Sequence, residues 1–191
     1  VGAFSDWYVM KYGDPYRVVQ FSEQSMAVVK TAIASTDLKW NEGELEQSKN
    51  PARKSQVAWI KNPGLYSMLL RMCQQMNIAS GWHLNITGLE PVQFGAYTTS
   101  DHYNWHVDQH KTPNKGIVRK ISMSLALNDD YRGGEFDLEI YKPDTDPRYI
   151  TVPLPKGSAV FFQGDQWHRV RPVSSGMRKS LVAWFYGPPY T

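Results

Sequence analysis

From Trp82 to the C-terminus the sequence is a succession of short β-prone runs separated by Gly, Pro, Asn and Asp, with no stretch of helical periodicity between them. This pattern constrains the fold most, because strands spaced so closely without crossover helices must pair antiparallel and close into a sandwich or barrel. Predicted strands fall near 82–87, 91–99, 103–108, 117–127, 135–141, 149–153, 158–163, 166–172 and 177–186. Upstream the period changes. Residues 22–36 predict a helix with Ser22 as N-cap, Phe21 and Met26 placed as a hydrophobic staple, and Met26, Val29 and Ile33 in one apolar stripe. A second helix is expected from Pro63, a favoured first helical position, with Leu65, Leu69, Met72 and Met76 on one face and Gly81 just past its end. Between the helices, residues 37–56 are polar, contain Gly43, Asn50 and Pro51, and read as a long irregular connection and a candidate lid. The expectation is a mainly β chain with N-terminal helices over one face. It forms one domain over 1–191, with helical support over about 20–80 and a β core over about 82–188.

Inside the β-rich half, His106 and Asp108 stand two residues apart in Trp105-His106-Val107-Asp108. On a strand such residues project from one face, so both can reach a single metal ion while Val107 packs behind them. A carboxylate within a run containing Tyr97, Tyr103, Trp105 and Val107 is costly unless a charge or hydrogen bonds satisfy it, and a metal would do so. The third ligand must come from elsewhere. His110 lies about 13 Å further along an extended strand, at roughly 3.3 Å per residue, and serves only if the chain turns. His168, on a separate predicted strand, completes two imidazoles and one carboxylate, the donor set of non-haem Fe(II) oxygenases. Ten residues on, Arg178 offers a planar, permanently charged fork suited to a carboxylate; the alternative is a solvated charge beside Lys179.

These motifs fall into an ordered series. It runs through Gln93-Phe94-Gly95-Ala96-Tyr97, Tyr103-Asn104-Trp105-His106-Val107-Asp108, Arg119-Lys120-Ile121-Ser122-Met123-Ser124-Leu125 and Asp130-Tyr131-Arg132-Gly133-Gly134-Glu135-Phe136. Pro155-Lys156-Gly157-Ser158-Ala159-Val160-Phe161-Phe162, His168-Arg169-Val170-Arg171-Pro172-Val173 and Gly176-Met177-Arg178-Lys179-Ser180-Leu181-Val182-Ala183-Trp184 complete it. In these stretches the chain resembles the prolyl 4-hydroxylase-like branch of the Fe(II)/2-oxoglutarate dioxygenases, and especially its bacterial PKHD-type hydroxylases. The resemblance implies a double-stranded β-helix, a jelly-roll and cupin relative. It implies Fe(II) on His106, Asp108 and His168, 2-oxoglutarate anchored by Arg178, O₂ as oxidant and ascorbate as reductant. Tyr97 and Tyr103 match tyrosines flanking the family's active site, where a phenol can donate to the co-substrate; for Tyr103 aromatic core packing is the competing reading. Ser180, two residues beyond Arg178, shares its strand face and either supports the same carboxylate or has no task. Trp184 is read as core. Near the mouth, Trp105, Trp167, Arg169 and Arg171 are candidate substrate contacts.

The resemblance implies hydroxylation of a peptidyl residue, with a peptide or protein as substrate. Two other classes stay open. An AlkB-type nucleic-acid dealkylating oxygenase would place a second arginine six residues after Arg178, where this chain has Trp184. A zinc hydrolase or cupin-like metal-binding module could use the same ligands but has no need of a dicarboxylate anchor. A net charge of +3 gives no electrostatic footprint for nucleic acid, although basic residues gather in the catalytic half. Cys73 is the one cysteine, so no intrachain disulfide forms. With no run approaching the eighteen or so apolar residues of a membrane span and no apolar leader core, a soluble cytoplasmic protein without membrane partners is expected. Oligomeric state is not legible.

Overall fold

The computed structural model describes residues 15–42, 53–140 and 147–190. In chain order the elements are β1 (Tyr16–Gln20), α1 (Glu23–Ala34), β2 (Asn41–Glu42), β3 (Arg53–Lys54), β4 (Gln56–Ile60), α2 (Pro63–Ala79), β5 (Gly88–Leu89), β6 (Val92–Tyr97) and β7 (His102–His106). There follow β8 (Val118–Ala126), β9 (Arg132–Gly133), β10 (Phe136–Glu139), β11 (Tyr149–Val152), β12 (Ser158–Gln163), β13 (His168–Val170), β14 (Val173–Ser175) and β15 (Arg178–Gly187).

Both helices start where local chemistry places them. The Ser22 hydroxyl accepts the Ser25 amide, and Asn62 Oδ1 accepts the Leu65 amide at 2.9 Å with Pro63 as the first helical residue. Leu65, Leu69, Met72 and Met76 are all buried, and Gly81 leaves α2 at φ +68°. The run 82–87, expected as a strand, is not one. Asn77 explains it: its side-chain amide donates to the Leu84 carbonyl and accepts from the Leu84 amide, supplying the bonds that a neighbouring strand would give.

A major sheet runs β1-β12-β8-β15-β6-β4-β2, with β5 also on β15, and faces a minor sheet β11-β10-β13-β7-β3. A short β9-β14 ladder lies beside them. The neighbours pair antiparallel, as the absence of crossover helices requires. Strand parity sorts the residues. Ile121, Met123, Leu125, Phe161, Leu181, Ala183 and Phe185 project from the major sheet into the core beneath α1 and α2. Val160 and Phe162 point the other way, into a second core with Phe136, Leu138, Val152 and Val170 of the minor sheet.

The N-terminal part is more than helical support. β1 and β4 extend the major sheet on either side, and β3 closes the edge of the minor sheet against β7. The polar connection read over 37–56 therefore contains β2, β3 and the start of β4. Its lid reading falls mostly on residues 43–52, outside the described residues. No helix among the described residues is long and apolar enough to cross a membrane.

Candidate metal centre

The cleft between the sheets gathers the three sequence-selected donors. His106 ends β7, His168 begins β13, and the two are register partners across the antiparallel pair. Asp108 is not on the strand, contrary to the same-strand expectation. The strand stops at His106, and the amides of Asp108 and Gln109 both donate to the Gly164 carbonyl, at 3.0 and 2.8 Å, turning the carboxylate inward. Gly164 has to be glycine here, since a Cβ would lie 2.6 Å from the Arg119 carbonyl oxygen.

One ligand atom from each of His106, Asp108 and His168 lies within 4.8 Å of the others, close enough to share an ion. His106 Nε2 stands 3.7 Å from Asp108 Oδ1, and His168 Nε2 stands 3.5 Å from Asp108 Oδ2. Each imidazole contacts a carbonyl two residues back through Nδ1, that of Asn104 at 2.7 Å and that of Gln166 at 2.9 Å. A carbonyl can only accept, so Nδ1 carries the proton and Nε2 presents its lone pair to the centre. Burial and the neighbouring His168 hold His106 well below the ordinary imidazole range, so it stays neutral and able to ligate. Burial works against the charge on Asp108, but His168, His106 and the Ser122 hydroxyl outweigh it and keep the carboxyl below its usual range. His110 is exposed and takes no part.

Aromatic rings fix the imidazoles. Tyr103 stacks on His106 with centroids 3.5 Å apart, and Phe162 meets His168 edge-on at 4.6 Å. Tyr103 thus does pack, as its competing reading held, and it also lines the cleft. Burial pushes its phenol up to about 12, so it keeps its proton as a donor.

Arg178 opens β15 opposite Tyr97 in register and is only 2 % exposed. Its Nη1 donates to Ser180 Oγ at 3.1 Å, the Tyr97 ring lies 5.5 Å from the guanidinium carbon, and Nε has no partner among the described residues. The solvated-charge reading is therefore excluded. A buried guanidinium held by a hydroxyl and a ring, with no carboxylate among its contacts in the described residues, is suited to an anion. The donor set and this orphaned donor together fit a divalent metal with a carboxylate co-substrate.

Several contributors escaped sequence reasoning. Ser122 Oγ donates to Asp108 Oδ2 at 2.7 Å, and Ser122 and Ser124 alternate with Ile121, Met123 and Leu125 in the second half of β8. That alternation was a signal available in the sequence. Arg119 is gripped at both prongs by Glu90, at 2.7 Å each, lies 4.0 Å over Trp184 and reaches the Asp108 carbonyl at 3.5 Å. Trp184, read as core, lines the cleft, and its buried indole N–H acts with the Ser122 hydroxyl to favour the charged Asp108 carboxylate. Arg53 sits 4.8 Å over the Tyr103 ring, donates to Ser55 and Gln93, and leaves Nη2 buried without a partner among the described residues. It lies in a polar stretch where nothing marked it. Trp105, Trp167, Arg169 and Arg171, expected at the mouth, face the opposite side of the minor sheet from the histidines that two of them precede in sequence.

Ser122→Ala removes the hydroxyl that donates to the Asp108 carboxylate. The expected result is a metal affinity about 10- to 100-fold weaker with an unchanged fold, read by titrating the metal-free protein with Mn(II). Unaltered affinity would mean that the chain alone positions Asp108.

The comparisons agree with this geometry. The family model described as the 2OG-Fe(II) oxygenase superfamily matches residues 92–186, which include every residue of the proposed metal and anion site. A PKHD-type hydroxylase of Alteromonas mediterranea is 26% identical over 87% of this chain and 72% of its own length. One from Synechococcus is 35% identical over 44% of this chain and 36% of its own. The matched stretch covers well under two thirds of several of these relatives. Among solved structures, a Pseudomonas putida prolyl-4-hydroxylase superposes with a TM-score of 0.65 at 20% identity, covering 91% of this chain and 92% of that one. A viral collagen prolyl hydroxylase from Paramecium Bursaria Chlorella virus-1 gives 0.64 at 16%, covering 92% and 97%. These likenesses carry the fold, the jelly roll expected from the motifs.

Proposed function

Because this chain belongs to the 2OG-Fe(II) oxygenase superfamily, we propose that it is an Fe(II)- and 2-oxoglutarate-dependent hydroxylase acting on a residue of a peptide or protein. The observation that carries the reading is one cleft holding both the convergent His106, Asp108 and His168 donors and the anion-seeking Arg178.

When bound, Fe(II), 2-oxoglutarate and O₂ supply oxidation of a C–H bond to C–OH, coupled to conversion of 2-oxoglutarate to succinate and CO₂. The chain supplies placement. His106 and His168 offer Nε2 with the proton fixed on Nδ1, and Asp108 offers a carboxylate whose second oxygen is engaged by Ser122. Arg178, with Ser180 and Tyr97 beside it, would hold a carboxylate of 2-oxoglutarate. The protonated phenol of Tyr103 faces the same cleft as a donor. Phe136, Phe162 and Val170 line the wall and keep bulk water out. Arg53, over the Tyr103 ring that lines the cleft, keeps one buried N–H without a partner among the described residues, a donor available to a substrate carbonyl. Ascorbate as reductant belongs to the same reading and rests on the family resemblance.

The test is a panel of proline-containing peptides and alkylated single-stranded oligonucleotides incubated with Fe(II)-loaded protein and 2-oxoglutarate and read by mass. A peptide gaining one oxygen is expected. Loss of an alkyl group from a base, with no peptide oxidised, would assign the chain to the nucleic-acid branch instead.

A further inference from the structure

The outer face of the minor sheet carries a cavity of about 350 Å³, lined by Trp105, Glu139, Arg148, Tyr149 and Trp167. Its floor is rigid. Asp137 is fully buried and takes Nε of Arg169 and of Arg171 at 2.7 Å, together with the Thr151 hydroxyl at 2.8 Å. Held in this way, the Arg169 guanidinium lies 4.7 Å from the Trp105 ring and 5.0 Å from that of Tyr149. Those two rings meet edge-on at 5.5 Å. Two aromatic walls are thus fixed before anything binds, while the third, Trp167, is 42 % exposed.

The charged walls are unused. Neither the Glu139 carboxylate nor the Arg148 guanidinium has an ion pair or side-chain hydrogen bond among the described residues. A free acceptor, a free donor and aromatic faces match a polyproline II segment, which presents apolar rings and leaves its carbonyls, and the amide N–H groups of its non-proline residues, unbonded. A polyanion matches poorly. Arg169 and Arg171 are committed to Asp137, and Glu139 adds negative charge.

Topology ties the cavity to the metal cleft. His106 is the last residue of β7 and His168 the first of β13, so both sit at one end of the minor sheet, and their neighbours Trp105 and Trp167 turn to its other face. A chain crossing that end of the sheet meets the cleft on one side and the cavity on the other. We infer that the Trp105–Trp167–Tyr149 cavity is an exosite for an extended, proline-rich segment of the substrate polypeptide, separate from the residue being oxidised. The identity of the polypeptide as substrate rests on the hydroxylase reading above; the recognition chemistry does not.

The test titrates three fluorescent probes against the full chain: a short proline-rich peptide, a charge-matched peptide with alanine in place of proline, and a single-stranded oligonucleotide. Wild type is compared with Trp167→Ala and Glu139→Gln, each checked for native circular dichroism. The proline-rich peptide should bind wild type best, weaken about tenfold in Trp167→Ala and severalfold in Glu139→Gln. Peptide-independent 2-oxoglutarate consumption should not change. No binding to wild type, equal affinity in all three proteins, or preference for the alanine peptide or the oligonucleotide would overturn the exosite. Trp167-dependent binding without oxidation of any peptide would leave the exosite standing and remove the hydroxylase reading. Oxidation of the peptide with no dependence on Trp167 or Glu139 would do the reverse.

Discussion

Asp108→Ala should weaken Fe(II) binding by more than about a hundredfold and remove 2-oxoglutarate turnover, in a protein that remains folded. The effect is large because Asp108 contributes the only carboxylate in the three-ligand cluster. It leaves the fold intact because the turn at Asp108 is held by backbone bonds to Gly164, not by the carboxylate. His106→Ala and His168→Ala should behave alike, each removing a neutral Nε2 donor, and anaerobic Fe(II) or Mn(II) titration of the metal-free protein reads all three directly. His110→Ala should bind metal as wild type does. If His168→Ala kept full affinity and His110→Ala lost it, the third ligand would be wrongly assigned.

Arg178→Ala should raise the KM for 2-oxoglutarate about ten- to a hundredfold, since a hydrogen bond to a charged group contributes roughly 1.5 to 3 kcal/mol. Arg178→Lys should lose less, keeping the charge without the fork. A third variant reports on the ligand-free protein. A buried guanidinium with no carboxylate partner costs desolvation, so Arg178→Met, which keeps the volume without the charge, should melt no lower than wild type in the absence of 2-oxoglutarate. Steady-state kinetics and a thermal melt check the pair. An unchanged KM in Arg178→Ala would place the co-substrate anchor elsewhere.

Residues whose task is set by a local pattern were legible in advance. The run Ile121 to Leu125 announces a strand, His106 and His168 announce ligands, and Ser22 and Pro63 mark their helices correctly because caps depend on the few residues around them. What could not be read depended on partners distant in sequence. Asp108 looked like a strand residue beside His106, and only the Gly164 carbonyl, delivered by the turn after β12, shows why it is not. Arg53 lies in a polar stretch with no periodicity, and its place over Tyr103 follows from β3 pairing with β7. The tryptophans beside the ligand histidines are expected at the mouth, whereas strand alternation sends them through the sheet to its outer face. Ser122 is the instructive miss, since its alternation with buried apolar residues was in plain sight.

The most direct measurement is release of labelled CO₂ from 1-labelled 2-oxoglutarate by metal-free protein reconstituted with Fe(II), in parallel with Asp108→Ala and Arg178→Ala. Wild type should release CO₂ only with Fe(II) and O₂ present, Asp108→Ala should release none at any co-substrate concentration, and Arg178→Ala should recover turnover as 2-oxoglutarate is raised. Fe(II)-loaded wild type that consumes no 2-oxoglutarate, with or without peptide, or equal release by wild type and Asp108→Ala, would contradict the assignment of this cleft.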